Sequence, residues 1–230
     1  MNWIELNGVR SDTITGLLIQ SLPPISKPEM RTQIEEIDGR DGDIVTKLGF
    51  KAYDKEISIG LYGQYDVNEV LSFFNSEGQV TFSNEPDKYY NFEILEQIDL
   101  ERLIRFRTAK VTLHVQPFKY SATEQEIEAT GSSVTVTNSG NIVSRPTITV
   151  EGSGTVSLSL NGSEIFVLSM DTNDSITIDA VGMNAYTGGI LRNRDVTGDY
   201  DNLVLPVGTN TLSWSGTVTL VEIENYSRWI

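Results

Sequence analysis

Along most of the chain, apolar and polar residues alternate in short runs broken by Gly, Asn, Asp and Pro. A period of two is the mark of strands with one face buried. In "SVTVTN" the alternation puts Val134 and Val136 on one face, and in "TITVEG" it does the same for Ile148 and Val150. "TVSLSLNGSEIFVLSM" alternates through Val156, Leu158 and Leu160, breaks at Asn161-Gly162 and then resumes. Asn-Gly between two such runs predicts a tight hairpin, because both central residues must take positive φ. "SITIDA", "NLVLPVG", "NTLSWSG" and "TVTLVEI" continue the pattern. The second half therefore reads as about eight short strands at the spacing of a sandwich or barrel. The phrases "SGTVSL" and "SGTVTL" recur there, too short to argue for duplication.

In the first half the period changes once. "DVNEVLSFFNSEG" carries Val67, Val70, Leu71 and Phe74 at helical spacing. Asp66 is placed to cap this helix, Glu69 to complete a capping box and Gly78 to stop it. Around it, "WIELNGV", "ITGLLIQSL", "MRTQIEEID", "KEISIGLYG", "QVTFS", "YYNFEILEQIDL" and "RFRTAKVTLHVQPF" read as strands, with Pro117 ending the last. "SATEQEIEATGSS", residues 121–133, is polar and reads as a linker. The expected organisation is mainly β. Residues 1–125 form a β-rich domain with one packed helix, and residues 126–230 an all-β domain.

Composition sharpens that division. Of 17 Lys and Arg, 13 lie in residues 1–125 and only 4, all Arg, in residues 126–230. The 32 acids divide 20 to 12, for a formal charge of −15 overall. Such acidity argues against a nucleic-acid ligand, since phosphate backbones reward clustered cations. The absence of Cys removes thiol catalysis, thiolate metal sites and disulfides. At 230 residues the chain can bury enough surface to fold without them. The N-terminus lacks a basic start and an apolar run, so no signal peptide is expected, and no stretch approaches the ~20 apolar residues of a membrane span. A soluble chain, not secreted by the usual signal, is the expectation.

Little in the sequence suits catalysis. The single His, His114, is in phase with Lys110, Thr112 and Gln116, hence on a polar strand face. Nucleophile-elbow and phosphate-loop motifs are absent, and one His excludes His-based zinc sites. No pair of carboxylates is marked as the acid and base of a glycosidase. "DTNDSITID" begins like a calcium loop at Asp171, Asn173 and Ser175 but has Ile176 where Gly is required, and Asp195, Asp199 and Asp201 form only a looser acidic loop. Both read better as turns whose Asp and Asn cap local backbone. Trp214 alternates with Leu212 and reads as core, and Tyr186, Tyr200 and Tyr226 are too scattered for a sugar-binding platform. No enzyme activity, metal or cofactor is expected.

One stretch stands apart. "EEIDGRDGDIV" packs Asp38, Asp41 and Asp43 around Gly39, Arg40 and Gly42. The simplest reading is the tip of a long hairpin, with Gly39 and Gly42 supplying positive φ and the aspartates bonding the turn backbone.

The order of these phrases resembles a known family. "IDGRDGDIVTKLGFKAYDKEISIGLYG", then "DVNEVLSFF", then "RFRTAKVTLHVQPFKY" is similar to the N-terminal domain of distal tail proteins of long, flexible-tailed bacteriophages. "VTNSGNIVSRPTITVEGSGTVSLSLNG", "ITIDA", "LPVGTNTLSWSG" and "YSRWI" resemble the C-terminal domain of the same family. The resemblance spans essentially the whole chain. It implies a mainly β fold, with an N-terminal β-sandwich-like domain bearing one helix and an extended hairpin, followed by a galectin-like β-sandwich. It also implies a structural role: a ring, usually a hexamer, at the distal end of the tail tube, through which DNA passes. The implied partners are other copies of the chain, the major tail tube protein, the tail-tip hub or tail-associated protein, and baseplate or receptor-binding proteins. The implied location is the virion tail tip, after synthesis in the host bacterial cytoplasm. Larger members carry carbohydrate-binding insertions for which this chain has no room, leaving sugar binding in host adsorption as the alternative reading. In a ring, the hairpin tip Asp38, Gly39, Arg40, Asp41, Gly42 and Asp43 is the candidate intersubunit contact, with Arg40 suited to a charge-paired interface.

Overall fold

The computed structural model describes residues 1–74, 77–123 and 125–230. The chain divides into two compact units, Met1–Ala122 with Ile230, and Thr123–Trp229.

The first unit holds β1 (Ile4–Leu6), β2 (Val9–Arg10), β3 (Leu17–Ser21), β4 (Met30–Glu36), β5 (Asp43–Phe50) and β6 (Tyr53–Leu61). After these come α1 (Val67–Phe73), β7 (Glu77–Phe82), β8 (Glu85–Glu93), α2 (Leu100–Phe106) and β9 (Thr108–Ser121). An antiparallel sheet runs in the order β2-β1-β7-β8-β9-β6-β3, while among the described residues β4 and β5 pair only with each other. Strand alternation decides what is buried. Ala109, Val111, Leu113 and Val115 of β9 point into the core with Ile57 and Ile59 of β6, while Lys110, Thr112 and His114 face away. Val70 and Phe73 of α1 and Leu103 of α2 join the same core.

Several local expectations need correction. The Asp66 carboxylate does cap α1, accepting from the Asn68 N–H at 2.8 Å, but among the described residues no bond returns from Glu69. The buried stripe runs through Val70, Phe73 and Phe74 rather than Val67 and Leu71. Asn75 and Ser76 lie outside the described residues. Gly78 is not the helix stop: it sits in β7, where a Cβ would come within 1.8 Å of the Asn7 Oδ1. That oxygen accepts from the Gln79 N–H, while the Asn7 amide donates to the Glu77 carbonyl. Asn7 and Gly8, both at positive φ, split "WIELNGV" into the β1–β2 hairpin. A second helix, α2, interrupts what read as strand, capped by the Asp99 carboxylate accepting from the Arg102 N–H. Nor does Pro117 end β9. It falls where the β8–β9 register shifts and β6 no longer pairs, so its missing N–H costs no ladder bond.

The second unit contains β10 (Gln125–Ala129), β11 (Ser133–Asn138), β12 (Thr147–Leu160), β13 (Ser163–Asp179), β14 (Asn184–Thr187), β15 (Ile190–Leu191), β16 (Val196–Gly198) and β17 (Gly208–Asn225). These form one antiparallel sheet, β10-β17-β12-β13-β14-β15, with β11 also on β17 and β16 on β13. The predicted Asn161-Gly162 turn joins β12 to β13, at φ 52° and 85°. Three strands are far longer than expected, because runs that read as separate are continuous through bulges. β12 and β17 shift register around Gly152 and Ser153, and the phrases "SGTVSL" and "SGTVTL" pair with each other there. Wrapping the bent sheet on itself encloses one core: Ile148 and Val150 from one end of β12, Val156, Leu158 and Leu160 from the other, and Trp214 from β17. The supposed linker is largely strand. Ile127 and Ala129 of β10 pack against this core. Glu124 of that segment lies outside the described residues. Among the described residues no helix is long and apolar enough to cross a membrane.

Candidate functional site

The acidic bend lies at the tip of the β4–β5 hairpin. Register pairs run Gln33↔Thr46, Ile34↔Val45, Glu35↔Ile44 and Glu36↔Asp43. Gly39 and Gly42 take φ of 81° and 78°, as the sequence predicts. The first turn closes when the Arg40 N–H donates to the Ile37 carbonyl at 3.1 Å, with Gly39 at the position where a type II turn needs positive φ. The aspartates do not bond the turn backbone as expected. Among the described residues, no hydrogen bond reaches the side chains of Asp38, Asp41 or Asp43, so glycine geometry and the Ile37–Arg40 backbone bond shape the tip. All six tip residues are exposed.

Two further features set this hairpin apart. Neither face is covered: Ile34 is 58% exposed, Val45 54% and Leu48 50%. An isolated two-stranded ribbon is marginal in water, and its open edges invite pairing with another chain. Its root, in contrast, is held firmly. Phe50 packs edge-on against Phe118, ring centroids 5.8 Å apart. Lys51 donates to the Glu29 backbone and carboxylate. The strap before β4 is pinned by the Tyr53 hydroxyl on the Ser26 carbonyl, by Asn84 on the Pro23 carbonyl and by the Lys55 ammonium on the Pro24 carbonyl at 2.9 Å.

Lys55 is buried, its ammonium 4.9 Å from the Tyr90 ring centroid and close to Phe82 and Tyr53. Beside it a largely buried ion pair joins Lys119 to Glu85 at 2.7 Å, and Glu85 also accepts from the Tyr90 hydroxyl. Burial lowers the Lys55 pKa to about 8, against the pull of Glu85. The same burial raises that of Tyr90. Nothing in the sequence distinguished Lys55 from a surface lysine except its phase with Ile57 and Ile59 on β6.

The other sequence candidates are dispersed. His114 lies on the polar face of β9, its Nδ1 2.7 Å from the Asp54 carboxylate. In the second unit the acidic loops turn to arginine. Arg192 binds Asp174 through two nitrogens, at 3.2 and 2.8 Å, and Asp195 at 2.5 Å. Hydrogen bonds from Arg192 hold the Asp174 carboxyl below its ordinary range. Asp199 caps the Asp201 N–H, and Asp201 pairs with Arg145. Among the described residues no group of three or more His, Asp or Glu is placed to hold a metal ion. Trp214 is core, and Tyr200 packs on Phe166.

No protein-family model and no curated protein sequence matches the chain. Solved structures do. The crystal structure of the Dit protein of phage SPP1, described as a paradigm of the hub adsorption apparatus in phages infecting Gram-positive bacteria, superposes with a TM-score of 0.68. That match has 16% identity and covers 100% of both chains. A chain of the phage P2 baseplate, in its activated conformation with Ca, matches with a TM-score of 0.52 and 12% identity over 98% of each chain. From its first residue to its last, this chain has the fold of the Dit tail-hub protein.

Proposed function

We propose that this chain is the distal tail protein of a long-tailed phage. It forms a ring, with six copies the natural number, at the distal end of the tail tube. The observation that carries this reading is the end-to-end match, covering 100% of both chains, to a protein described as a tail hub. The uncovered hairpin supports it, since a closed ring supplies a neighbour for every open edge. Residues 1–125 are the ring-forming domain, and the tip residues 38–43 reach the adjacent subunit. Residues 126–230 face the baseplate or receptor-binding proteins. The ring joins the tail tube protein to the tail-tip hub and lets DNA pass, and a charge of −15 disfavours gripping it. The protein is made in the host cytoplasm and resides at the virion tail tip. It carries out no catalysis.

Size exclusion with light scattering, followed by negative-stain imaging, tests this directly. The expected result is a six-copy particle with a central hole. A chain that neither forms rings nor adds to the end of purified tail tubes overturns the reading.

A further inference from the structure

Helix α2 presents a second uncovered surface in the first unit. Arg102, Arg105 and Phe106 are spaced to share one of its faces. They line a groove of about 560 Å³ together with Asp99, Glu101 and Thr108. Phe106 is 64% exposed and Ile104 47%. Cations are scarce in this chain, and Lys51, Lys110, Lys119, Arg145 and Arg192 each hold a carboxylate. Among the described residues neither Arg102 nor Arg105 has one within ion-pair distance.

Asp99 and Glu101 match the two arginines of the groove in number, with the Asp99 carboxylate occupied by the Arg102 N–H, whereas the hairpin tip carries a net excess of acid. Glu35, Glu36, Asp38, Asp41 and Asp43 surround Arg40. Glu36 and Asp43 stand directly opposite across the strands, a like-charge placement that destabilises a ribbon left alone. Ile34, Val45 and Ile37 are exposed beside them. One surface thus offers two arginines with no carboxylate within ion-pair distance among the described residues, Arg105 resting over the Phe106 ring, and the other offers carboxylates without a cation partner, flanked by aliphatic side chains. Within the chain, α2 packs on β9 and β6. With about 3.3 Å per residue, the seven residues of β4 reach roughly 23 Å from the pinned root.

We infer that the α2 groove receives the β4–β5 hairpin of a second copy of this chain, with Arg102 and Arg105 pairing with the acidic tip. The inference rests on the ring reading and adds the acceptor surface to it. Charge complementarity of this kind fixes register and discriminates against wrong partners more than it adds raw affinity.

Charge exchange tests it. Arg102→Glu with Arg105→Glu, and separately Asp41→Arg with Asp43→Arg, should each raise the concentration needed for ring assembly about tenfold or more. Their circular-dichroism melts should be unchanged, since all four residues are exposed. Joining both pairs of substitutions in one chain should restore assembly. The chain has no native cysteine, so mixing Asp41→Cys chains with Arg105→Cys chains should give a disulfide-linked heterodimer. Rings of the Arg102→Glu/Arg105→Glu variant that assemble like the unmodified chain overturn the contact but leave the ring reading standing. The contact is equally overturned if the joined variant is as weak as its parents, or if no heterodimer forms. Duplex DNA that binds the unmodified chain and is lost by that variant, with rings intact, would reassign α2 to nucleic acid. A chain that stays monomeric at millimolar concentration also overturns the contact, while its addition to tail tubes decides the hub reading separately.

Discussion

Lys55 shows how a single residue couples burial to pH. Folding lowers its pKa to about 8 from the ordinary 10.5, mainly through desolvation. The unfolded chain therefore holds this proton more tightly. As pH rises from about 8 towards 10.5, the unfolded state stays protonated while the folded state does not, so stability from this group rises across that window. Below about pH 8 both states are charged and the contribution is flat. Tyr90 acts oppositely at higher pH: its raised pKa means that the unfolded chain loses the phenolic proton first, so stability falls beyond pH 10. Thermal melts of the first unit should accordingly rise between about pH 8 and 10, and Lys55→Met should flatten that rise. An unaltered slope in Lys55→Met would sink the assignment. In the second unit the ion pair sets the sign. Asp174, held low by Arg192, contributes stability that is present above the ordinary carboxylate range and lost as pH falls through its lowered value. Arg192→Ala leaves this 10% exposed carboxylate without its bidentate partner and should cost about 2 kcal/mol in denaturant unfolding. Arg192→Lys should recover only part, having no planar fork to offer.

Among the elements, the tip of the β4–β5 hairpin and the Asn161-Gly162 turn are the most legible in the sequence. The strand "MRTQIEEID" runs into a tip whose glycines need positive φ, and no distant contact is required to read that. The returning strand β5 is implied by the tip rather than read from its own pattern. Gly42 has no atom within 4 Å of an added Cβ, so replacing it brings conformational strain and no clash. Gly42→Val should cost the ribbon about 1–2 kcal/mol. The ribbon contributes no residue to either buried core. The melt of both cores should therefore stay close to that of the unmodified chain while ring assembly weakens. Gly42→Asn should be milder, because Asn tolerates the left-handed region. Equal ring yields for Val and Asn would show that the tip conformation is irrelevant to assembly. What escaped the sequence has common causes. Helix α2 is as short as α1, but its sequence runs directly between β-like phrases with no glycine to mark its end, and only Asp99 as a cap before Leu100, Leu103 and Ile104 hinted at it. The long strands of the second unit were hidden because Gly152, Gly154 and Gly216 look like turn residues but bend continuous strands at bulges. The arginine partners of the acidic loops come from 18 residues away for Asp174 and 56 for Asp201, beyond any local pattern.

At the level of the whole molecule, the two buried cores share no described residue, one built from β1, β3, β6–β9 and the helices and the other from β10–β14, β16 and β17 with Ala180, Leu203 and Leu205 between strands. On the proposed reading, a hub that closes a ring with one part and meets partners with the other gains from this separation, since strain in one core need not pass to the other. The separation can be measured. Leu158 is fully buried in the second core, beside Val156 and Leu160 of the same strand. Leu158→Ala should destabilise that unit by about 2–5 kcal/mol through lost burial and the cavity left behind. Native-state hydrogen exchange should then show amides of β12, β13 and β17 losing protection by the corresponding factor, while those of β6 and β9 keep theirs. The mirrored substitution, Leu113→Ala in the first core, should invert the pattern and, on the proposed ring reading, impair assembly, because it loosens the sheet that carries the hairpin root. Protection lost equally in both units under either substitution would mean that the chain unfolds as one cooperative body. The division of labour proposed for the two units would then have to come from the surfaces alone.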